Sequence, residues 1–204
     1  MIKNKLLMLL CLLASTILVQ AQDLYVSTSF HEPATDGLRF IYSRDAVHWD
    51  SIPGTFLAPK VGKQKVMRDP SIIRTPDGVF HLVWTSSWRG DRGFGYAESR
   101  DLMHWSEPKF IEVMDDPTTV NVWAPELFWD EDRQQAMVVW ASCVPSQHFA
   151  LGIEDEKNNH RLYYSVTKDF KTWTKGKLLI DPGFSCIDAT LLKRGKNDYV
   201  MVLK

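Results

Sequence analysis

Cysteine is scarce in this sequence, and neither sign of charge dominates it. The 204 residues include three cysteines, 24 basic side chains and 25 acidic ones, for a formal charge of −1. Without a basic surplus the composition gives no indication of a nucleic-acid partner, and without runs of like charge it indicates no charged tail. No CxxC, HExxH or EF-hand loop occurs, so the sequence carries no strong metal-binding motif.

The one long apolar run lies at the N-terminus. Lys3 and Lys5 precede an almost wholly apolar stretch, residues 6–19, and the small residue Ala21 follows it. This order is typical of a secretory signal peptide. An uncleaved anchor is the less favoured alternative, because the run is short for a membrane span. We predict a signal peptide at residues 1–21, a secreted or periplasmic protein, and no membrane span in the mature form.

The remaining composition favours a globular domain over residues 22–204. Export leaves only Cys143 and Cys186, too few for a disulfide scaffold, and the sequence leaves open whether they pair. With 45% hydrophobic and 12% aromatic residues, the chain is neither disordered, collagen-like nor a coiled coil. A hydrophobic core must therefore hold the fold.

A seven-residue pattern occurs three times in this domain. It consists of a hydroxyl residue, a base, Asp, three further residues and Trp, and it begins at Ser43, Ser99 and Thr167. Each copy lies between two strand-like runs. The Asp can accept hydrogen bonds from turn backbone, and the Trp can cover the sheet beneath it. We interpret these Asp-to-Trp turns, residues 43–49, 99–105 and 167–173, as structural connections rather than binding sites.

The spacing of the turns predicts an all-β fold. Alternating and apolar runs such as 79–85, 136–141 and 199–203 dominate, and helical periodicity is hard to find after residue 22. Successive turn tryptophans are 56 and 68 residues apart. A period above about 40 residues, with several strands in each unit, indicates a β-propeller.

Acidic residues open the first strand of three consecutive units. They are Asp69, Glu126 and Asp188. The first strand of each propeller blade lines the central channel, so we expect these residues to occupy equivalent positions and to converge. Clustered carboxylates repel, and burial raises the pKa of at least one of them. Glycoside hydrolysis uses such a set, because one carboxyl protonates the leaving oxygen while another acts as base or nucleophile.

Aromatic residues near these strands are candidates for sugar binding. Trp84, Trp88, Trp123 and Trp129 could stack on sugar rings, although blade packing is the favoured explanation for any single one. Arg68 could bind substrate hydroxyls. We take Arg68, Trp88 and Trp123 as the candidate substrate-binding residues.

The segments around the three acids resemble glycoside hydrolase family 43, the five-bladed propeller glycosidases of arabinan and xylan breakdown. The resemblance implies a secreted, inverting glycosidase acting on arabinose- or xylose-containing oligosaccharides or polysaccharides. It further implies Asp69 as general base, Asp188 as pKa modulator, and Glu126 as a sugar-subsite residue or the acid. The matching segments are Arg68-Asp69-Pro70-Ser71-Ile72-Ile73, Trp123-Ala124-Pro125-Glu126-Leu127 and Ile187-Asp188-Ala189-Thr190.

The resemblance also implies a catalytic acid that is not found in this sequence. The family's acid follows the modulator in a Glu-Gly-Pro context, which does not occur before Lys204. Five blades at the observed spacing need roughly 300 residues, so we expect a C-terminally truncated propeller with three to four blades. Segment 24–57 lacks an acidic first strand and is expected to supply outer strands to a last blade. Some relatives hold a structural Ca²⁺, but no ligand signature occurs here and no cofactor is predicted.

Alternative functions remain open. A carbohydrate-binding propeller without catalysis needs the aromatic platforms but no acid–base pair. An invertase-like family 32 glycosidase is a further alternative, because the Arg-Asp-Pro at 68–70 also resembles that family, although its Asn-Asp-Pro-Asn opening is absent. A propeller that presents loops to protein partners is the least favoured.

Overall fold

The computed structural model describes residues 23–147 and 158–204, and the predicted signal peptide lies outside them. Within these ranges the chain forms thirteen strands and no helix, which confirms the all-β prediction. The strands are β1 (Tyr25–Ser29), β2 (Leu38–Ser43), β3 (Asp50–Leu57), β4 (Arg68–Arg74), β5 (Phe80–Thr85), β6 (Gly93–Ser99), β7 (Lys109–Glu112), β8 (Trp123–Asp130), β9 (Gln135–Cys143), β10 (His160–Thr167), β11 (Lys177–Ile180), β12 (Thr190–Gly195) and β13 (Asp198–Val202).

The strands pair into four antiparallel sheets that follow one another along the chain. Two are complete four-stranded blades, β4-β5-β6-β7 and β8-β9-β10-β11. A three-stranded sheet, β1-β2-β3, precedes them, and the pair β12-β13 follows. The first strands of the two complete blades lie beside each other, β4 against β8, and β1 of the preceding sheet contacts β4. This is the arrangement of successive blades around a propeller axis.

The N-terminal sheet lacks the inner strand of a complete blade. Strand β1 ends where β4 begins, as β5 does: the Thr28 hydroxyl donates a hydrogen bond to the Pro70 carbonyl of β4, and Glu32, just after β1, pairs with Arg68. The Asp-to-Trp turn at 43–49 follows β2, as the other two copies follow β6 and β10. Strands β1, β2 and β3 therefore match the second, third and fourth strands of a blade, and their place in a last blade stays a prediction.

The direction of the strands defines two ends of the sheets. Strands β4, β8 and β12 all begin at one end, which we call the site end. Strands β4, β6, β8 and β10 finish at the other, the turn end, and the Asp-to-Trp turns at 99–105 and 167–173 follow β6 and β10 there. In each complete blade the inner strand therefore begins at the site end, and the repeated turn lies at the turn end.

The Asp-to-Trp turns are structural, as predicted. In the second copy, the buried hydroxyl of Ser99 accepts hydrogen bonds from the backbone N–H groups of Asp101 (3.2 Å) and Leu102 (2.9 Å). Oδ1 of Asp101 accepts from the backbone of Met103 (2.9 Å) and His104 (2.7 Å). The residue after each Asp has a left-handed φ: Ala46, Leu102 and Phe170, at 61°, 65° and 54°.

Hydrophobic layers between the sheets form the core. The layer between the second and third sheets includes Phe94 and Trp140. Trp84 is fully buried in the layer between the first and second sheets, so it is a packing residue and not a sugar platform. A Cβ at Gly95 would lie 2.0 Å from the Trp84 ring, which explains the glycine.

The two mature-domain cysteines are both buried. Cys143 ends β9 and Cys186 lies in the layer that β12 and β13 cover. No disulfide joins the two.

Candidate active site

Each inner strand begins with the same two-residue bulge. Arg68 pairs with Thr85 and Ser71 with Val83, which leaves residues 69–70 bulged between them. Residues 124–125 are bulged in the next blade, between Trp123 and Glu126. In the last sheet Ile187 N–H bonds the Lys204 carbonyl at 2.8 Å and Thr190 pairs with Val202, so residues 188–189 occupy the bulge.

The bulge corrects the equivalence predicted for the three acids. Its first residue has a left-handed φ in every blade: 47° at Asp69, 45° at Ala124 and 54° at Asp188. Glu126 stands two residues further on, where the other blades have Ser71 and Thr190. The sequence prediction aligned the three acidic residues with one another. The strand register is set by the backbone bulge instead, so Glu126 is offset by two residues from the position of Asp69 and Asp188.

The three carboxylates nevertheless converge, as predicted. They surround one cavity of about 340 Å³ at the site end. Ala124, between the two bulge aspartates in blade order, leaves space that a third Asp side chain would fill. The cavity is lined by Asp69, Pro70, Ala124, Pro125, Glu126, Asp188, Ala189 and Thr190.

Hydroxyl groups connect the blades around this cavity. Thr85 Oγ1 donates to Asp69 Oδ2 (3.2 Å) and accepts from the Ala124 backbone N–H (2.9 Å). Thr190 Oγ1 donates to Glu126 Oε1 at 3.0 Å. Thr85 thus links Asp69 to the backbone of the next blade, and Thr190 links Glu126 to the last sheet.

Burial gives two of the acids a raised pKa. For Asp69 the main cause is desolvation, reinforced by the negative charges of Asp188 and Glu32 and opposed by Arg68 and Thr85. For Glu126 the cause is again desolvation, opposed by its hydrogen bonds. Asp188 is exposed, and Lys204 Nζ lies 3.4 Å from its Oδ2.

The three predicted substrate-binding residues form one cluster beside Asp69. The Arg68 guanidinium lies 3.4 Å from the centroid of the Trp88 ring, and Trp88 is 42% exposed. Trp123 Nε1 donates to the Trp88 carbonyl at 2.8 Å, and its ring stacks on His160 with centroids 4.9 Å apart. One face of each indole is thus covered by a protein group. Trp129, in contrast, lines clefts at the turn end.

Several residues of the site were not predicted from the sequence. Glu32 pairs with Arg68 at 2.9 Å, although it comes from the loop after β1 and belongs to no motif. Thr85 is an ordinary strand-end residue in the sequence. Ser71 and Thr190 could have been found, since the blade repeat places them at the position of Glu126.

The described residues offer no alternative metal centre. Within 23–147 and 158–204 no group of three or more His, Cys, Asp or Glu side chains is placed to hold a metal ion. In the same part of the chain, no helix has the length and apolarity to cross a membrane.

A partial propeller with clustered carboxylates at the starts of its inner strands has the form of a glycoside hydrolase domain. The family of glycosyl hydrolase family 43-related domains, described as a probable glycosyl hydrolase domain, matches residues 22–204, and the chain belongs to it. An alpha-L-arabinofuranosidase of Bifidobacterium longum subsp. longum is 26% identical over 150 residues, which cover 63% of this chain and 14% of that protein.

Solved structures agree on the fold. An N-acetylgalactosamine deacetylase from F. plautii superimposes with a TM-score of 0.60 at 14% identity, over 89% of this chain and 59% of that one. A Penicillium chrysogenum alpha-L-arabinanase superimposes with a TM-score of 0.53 at 16% identity, over 90% and 58%. The chain thus spans about three fifths of these structures, and the predicted partial β-propeller is confirmed.

Proposed function

We propose that this domain hydrolyses glycosidic bonds with inversion, in arabinose- or xylose-containing glycans, after export by the segment at 1–21. The observation that carries the proposal is the joint placement of Asp69, Glu126 and Asp188 around one cavity. Family membership supports the reaction class. The arabinofuranosidase and arabinanase among its relatives and structural neighbours support the choice of sugar.

Asp69 is proposed as the general base. It would take a proton from the water that attacks the anomeric carbon, while the bond from that carbon to the leaving oxygen breaks. The raised pKa makes its carboxylate a stronger base than an exposed Asp. The charge of Asp188 contributes to that shift, which is the action expected of a pKa modulator.

Glu126 is proposed as the proton donor to the leaving oxygen. Its burial raises its pKa, so it remains protonated to higher pH than an exposed Glu. The alternative is a residue that only lines the sugar subsite. Glu126→Gln separates the two roles. Loss of a general acid slows glycosides with poor leaving groups far more than activated aryl glycosides, whereas loss of a subsite contact slows both equally.

The main test is hydrolysis followed by proton NMR. The substrates are aryl arabinofuranoside, aryl xyloside and, for the invertase-like alternative, sucrose. We expect turnover of a pentoside, first release of the inverted anomer, and loss of turnover in Asp69→Asn. First release of the retained anomer would contradict inversion, and turnover unaffected by Asp69→Asn would remove Asp69 as base.

A non-catalytic carbohydrate-binding domain is the second candidate. The exposed Trp88 and its partners Arg68 and Trp123 favour it, because a sugar could bind this cluster without any proton transfer. Binding of pentose oligosaccharides without turnover, unchanged by Asp69→Asn and lost in Trp88→Ala, would support this function instead.

A further inference from the structure

A second cleft opens at the turn end, between the second and third sheets. Its volume is about 500 Å³, and it lies among the β4–β5 turn, the end of β6 and the third Asp-to-Trp turn. Strand β4 leads from the carboxylate cavity to this cleft. Its seven residues span about 20 Å, so the two openings are separate.

The repeated turn brings basic side chains into this cleft. Arg100 and Lys168 hold the second position of the turn in neighbouring blades, and both line the cleft with Lys171. All three residues are exposed. Within the described ranges no hydrogen bond or ion pair engages their side chains, although the charge of Arg100 lowers the pKa of Asp77.

The acids of the cleft are already engaged by the protein. Asp77 Oδ1 accepts from the Thr75 hydroxyl at 2.6 Å. Asp169 Oδ1 accepts two backbone N–H donors of its own turn, at 2.9 and 2.8 Å. Glu98 Oε2 accepts from the Tyr96 hydroxyl at 2.8 Å. These acids balance the formal charge of the cleft, but the donors of its cations remain available to an external acceptor.

The rest of the cleft is uncharged and includes three aromatic rings. The partly exposed Trp129 lines it, and His81 stacks on Phe170 with centroids 3.4 Å apart. Burial lowers the pKa of His81 to about 4, so the imidazole is neutral at pH 7. His81 and Phe170 are buried, so the partly exposed Trp129 is the ring that can meet the apolar face of a sugar, while a guanidinium with two ammonium groups suits a carboxylate.

We propose that this cleft binds an acidic sugar residue of the uronic acid class, separately from the carboxylate cavity. Arg100, Lys168 and Lys171 would take the carboxylate, and Trp129 would contact the ring. The repeat explains how such a site arises, because adjacent blades place their turn bases on opposite sides of one interblade cleft.

The test is a calorimetric titration of the whole protein with a uronic acid trisaccharide and with a neutral trisaccharide of the same linkage. We expect the acidic sugar to bind at least about tenfold more tightly, with an affinity that falls as salt rises. The triple variant Arg100→Gln, Lys168→Gln, Lys171→Gln should lose about tenfold in affinity. Arg44→Gln is the matched control, because Arg44 holds the same turn position outside the cleft, and it should change affinity less than about twofold.

Other outcomes would overturn the proposal. Equal affinity for the neutral sugar, or unchanged binding by a triple variant with a native thermal transition, would remove the site. Full displacement by equimolar inorganic sulfate would indicate small-anion binding only. Loss of binding in Asp69→Asn with Asp188→Asn would move the ligand to the carboxylate cavity. The readout is binding, so none of these results decides whether the domain hydrolyses glycosides.

Discussion

The two ends of the blades treat carboxylates in opposite ways. At the turn end the pKa of Asp45, Asp101 and Asp169 is lowered. The main cause is the side-chain hydrogen bond with His48 for Asp45 and with His104 for Asp101, followed by backbone N–H bonds. For Asp169 the backbone N–H bonds come first, and they lower its pKa to about 2. At the site end, burial raises the pKa of Asp69 and Glu126. The turn acids therefore stabilise the fold as anions, whereas the buried site acids cost stability when they ionise.

The repeat itself differs between the ends. The turns keep hydroxyl, Asp and Trp in all three copies, and in each copy the Asp Oδ1 accepts the same backbone N–H hydrogen bond. The bulges share only their backbone conformation, because the residue with a left-handed φ is Asp69 in the first bulge, Ala124 in the second and Asp188 in the third. The first position of the bulge keeps its backbone geometry with different side chains. The fold therefore does not require one particular residue there, and the side chain can serve function.

The largest expected contrast is in turnover between Asp69→Asn and Asp101→Asn. We expect Asp69→Asn to lower kcat by about 10²- to 10⁴-fold, the usual contribution of a general base. Asp101 accepts only local bonds in an exposed turn, so Asp101→Asn should leave kcat within about twofold. The measurement is pentoside hydrolysis at matched folded fraction. Similar losses in both variants would mean that the two ends do not differ in function.

A smaller contrast concerns two serines that both accept a backbone N–H. Ser99 Oγ accepts from Leu102 at 2.9 Å inside its turn, and Ser71 Oγ accepts from Leu127 at 3.0 Å across two blades. Replacing either by Ala should cost about 1 kcal/mol in the free energy of unfolding.

The two serine variants should differ in activity. The hydrogen bond with Ser71 also lowers the pKa of Glu126, so Ser71→Ala should raise that pKa further. Because Glu126 would then be a weaker acid, Ser71→Ala should lower kcat as well as stability. Ser99→Ala should alter stability alone. Denaturant unfolding and steady-state kinetics on the same preparations give both quantities, and a loss of kcat in Ser99→Ala would contradict the separation.

The Asp-to-Trp turns and the convergence of the three acids could be predicted from the sequence, but the strand register of Glu126 could not. Hydroxyl, Asp and Trp at fixed local spacing define a turn without tertiary information. The offset of Glu126 depends on which residues bulge, and that is visible only when cross-strand partners are known. Glu32 reaches Arg68 through the packing of β1 against β4, a contact that no local pattern encodes.

A third contrast is the sign of the pH dependence of stability. The folded-state pKa of Asp69 lies above its ordinary 3.8, so protonated Asp69 favours the folded state. This contribution to stability is fully present below pH 3.8 and is lost as the pH rises through the folded-state pKa. Asp69→Asn should therefore raise the melting temperature near pH 7 and have little effect near pH 3. The pKa of Asp169 lies below 3.8, so Asp169→Asn should destabilise near pH 7, and the effect should fade as pH falls toward about 2. Melting curves of both variants from pH 3 to 8 test the signs, and equal signs at pH 7 would refute the contrast.

The smallest expected effect is a shift in the acid limb of the pH profile of kcat/KM. Arg68 lowers the pKa of Asp69 and Glu32 raises it, so Arg68→Met should move the acid limb to higher pH. Arg74→Met, which removes a cation lying over Phe80 at the far end of β4, should not move it. Adding Glu32→Gln to Arg68→Met should return the limb part of the way, because it removes the anion that Arg68 neutralised. A limb that stays in place in Arg68→Met, or moves to lower pH, would show that Asp69 does not set it.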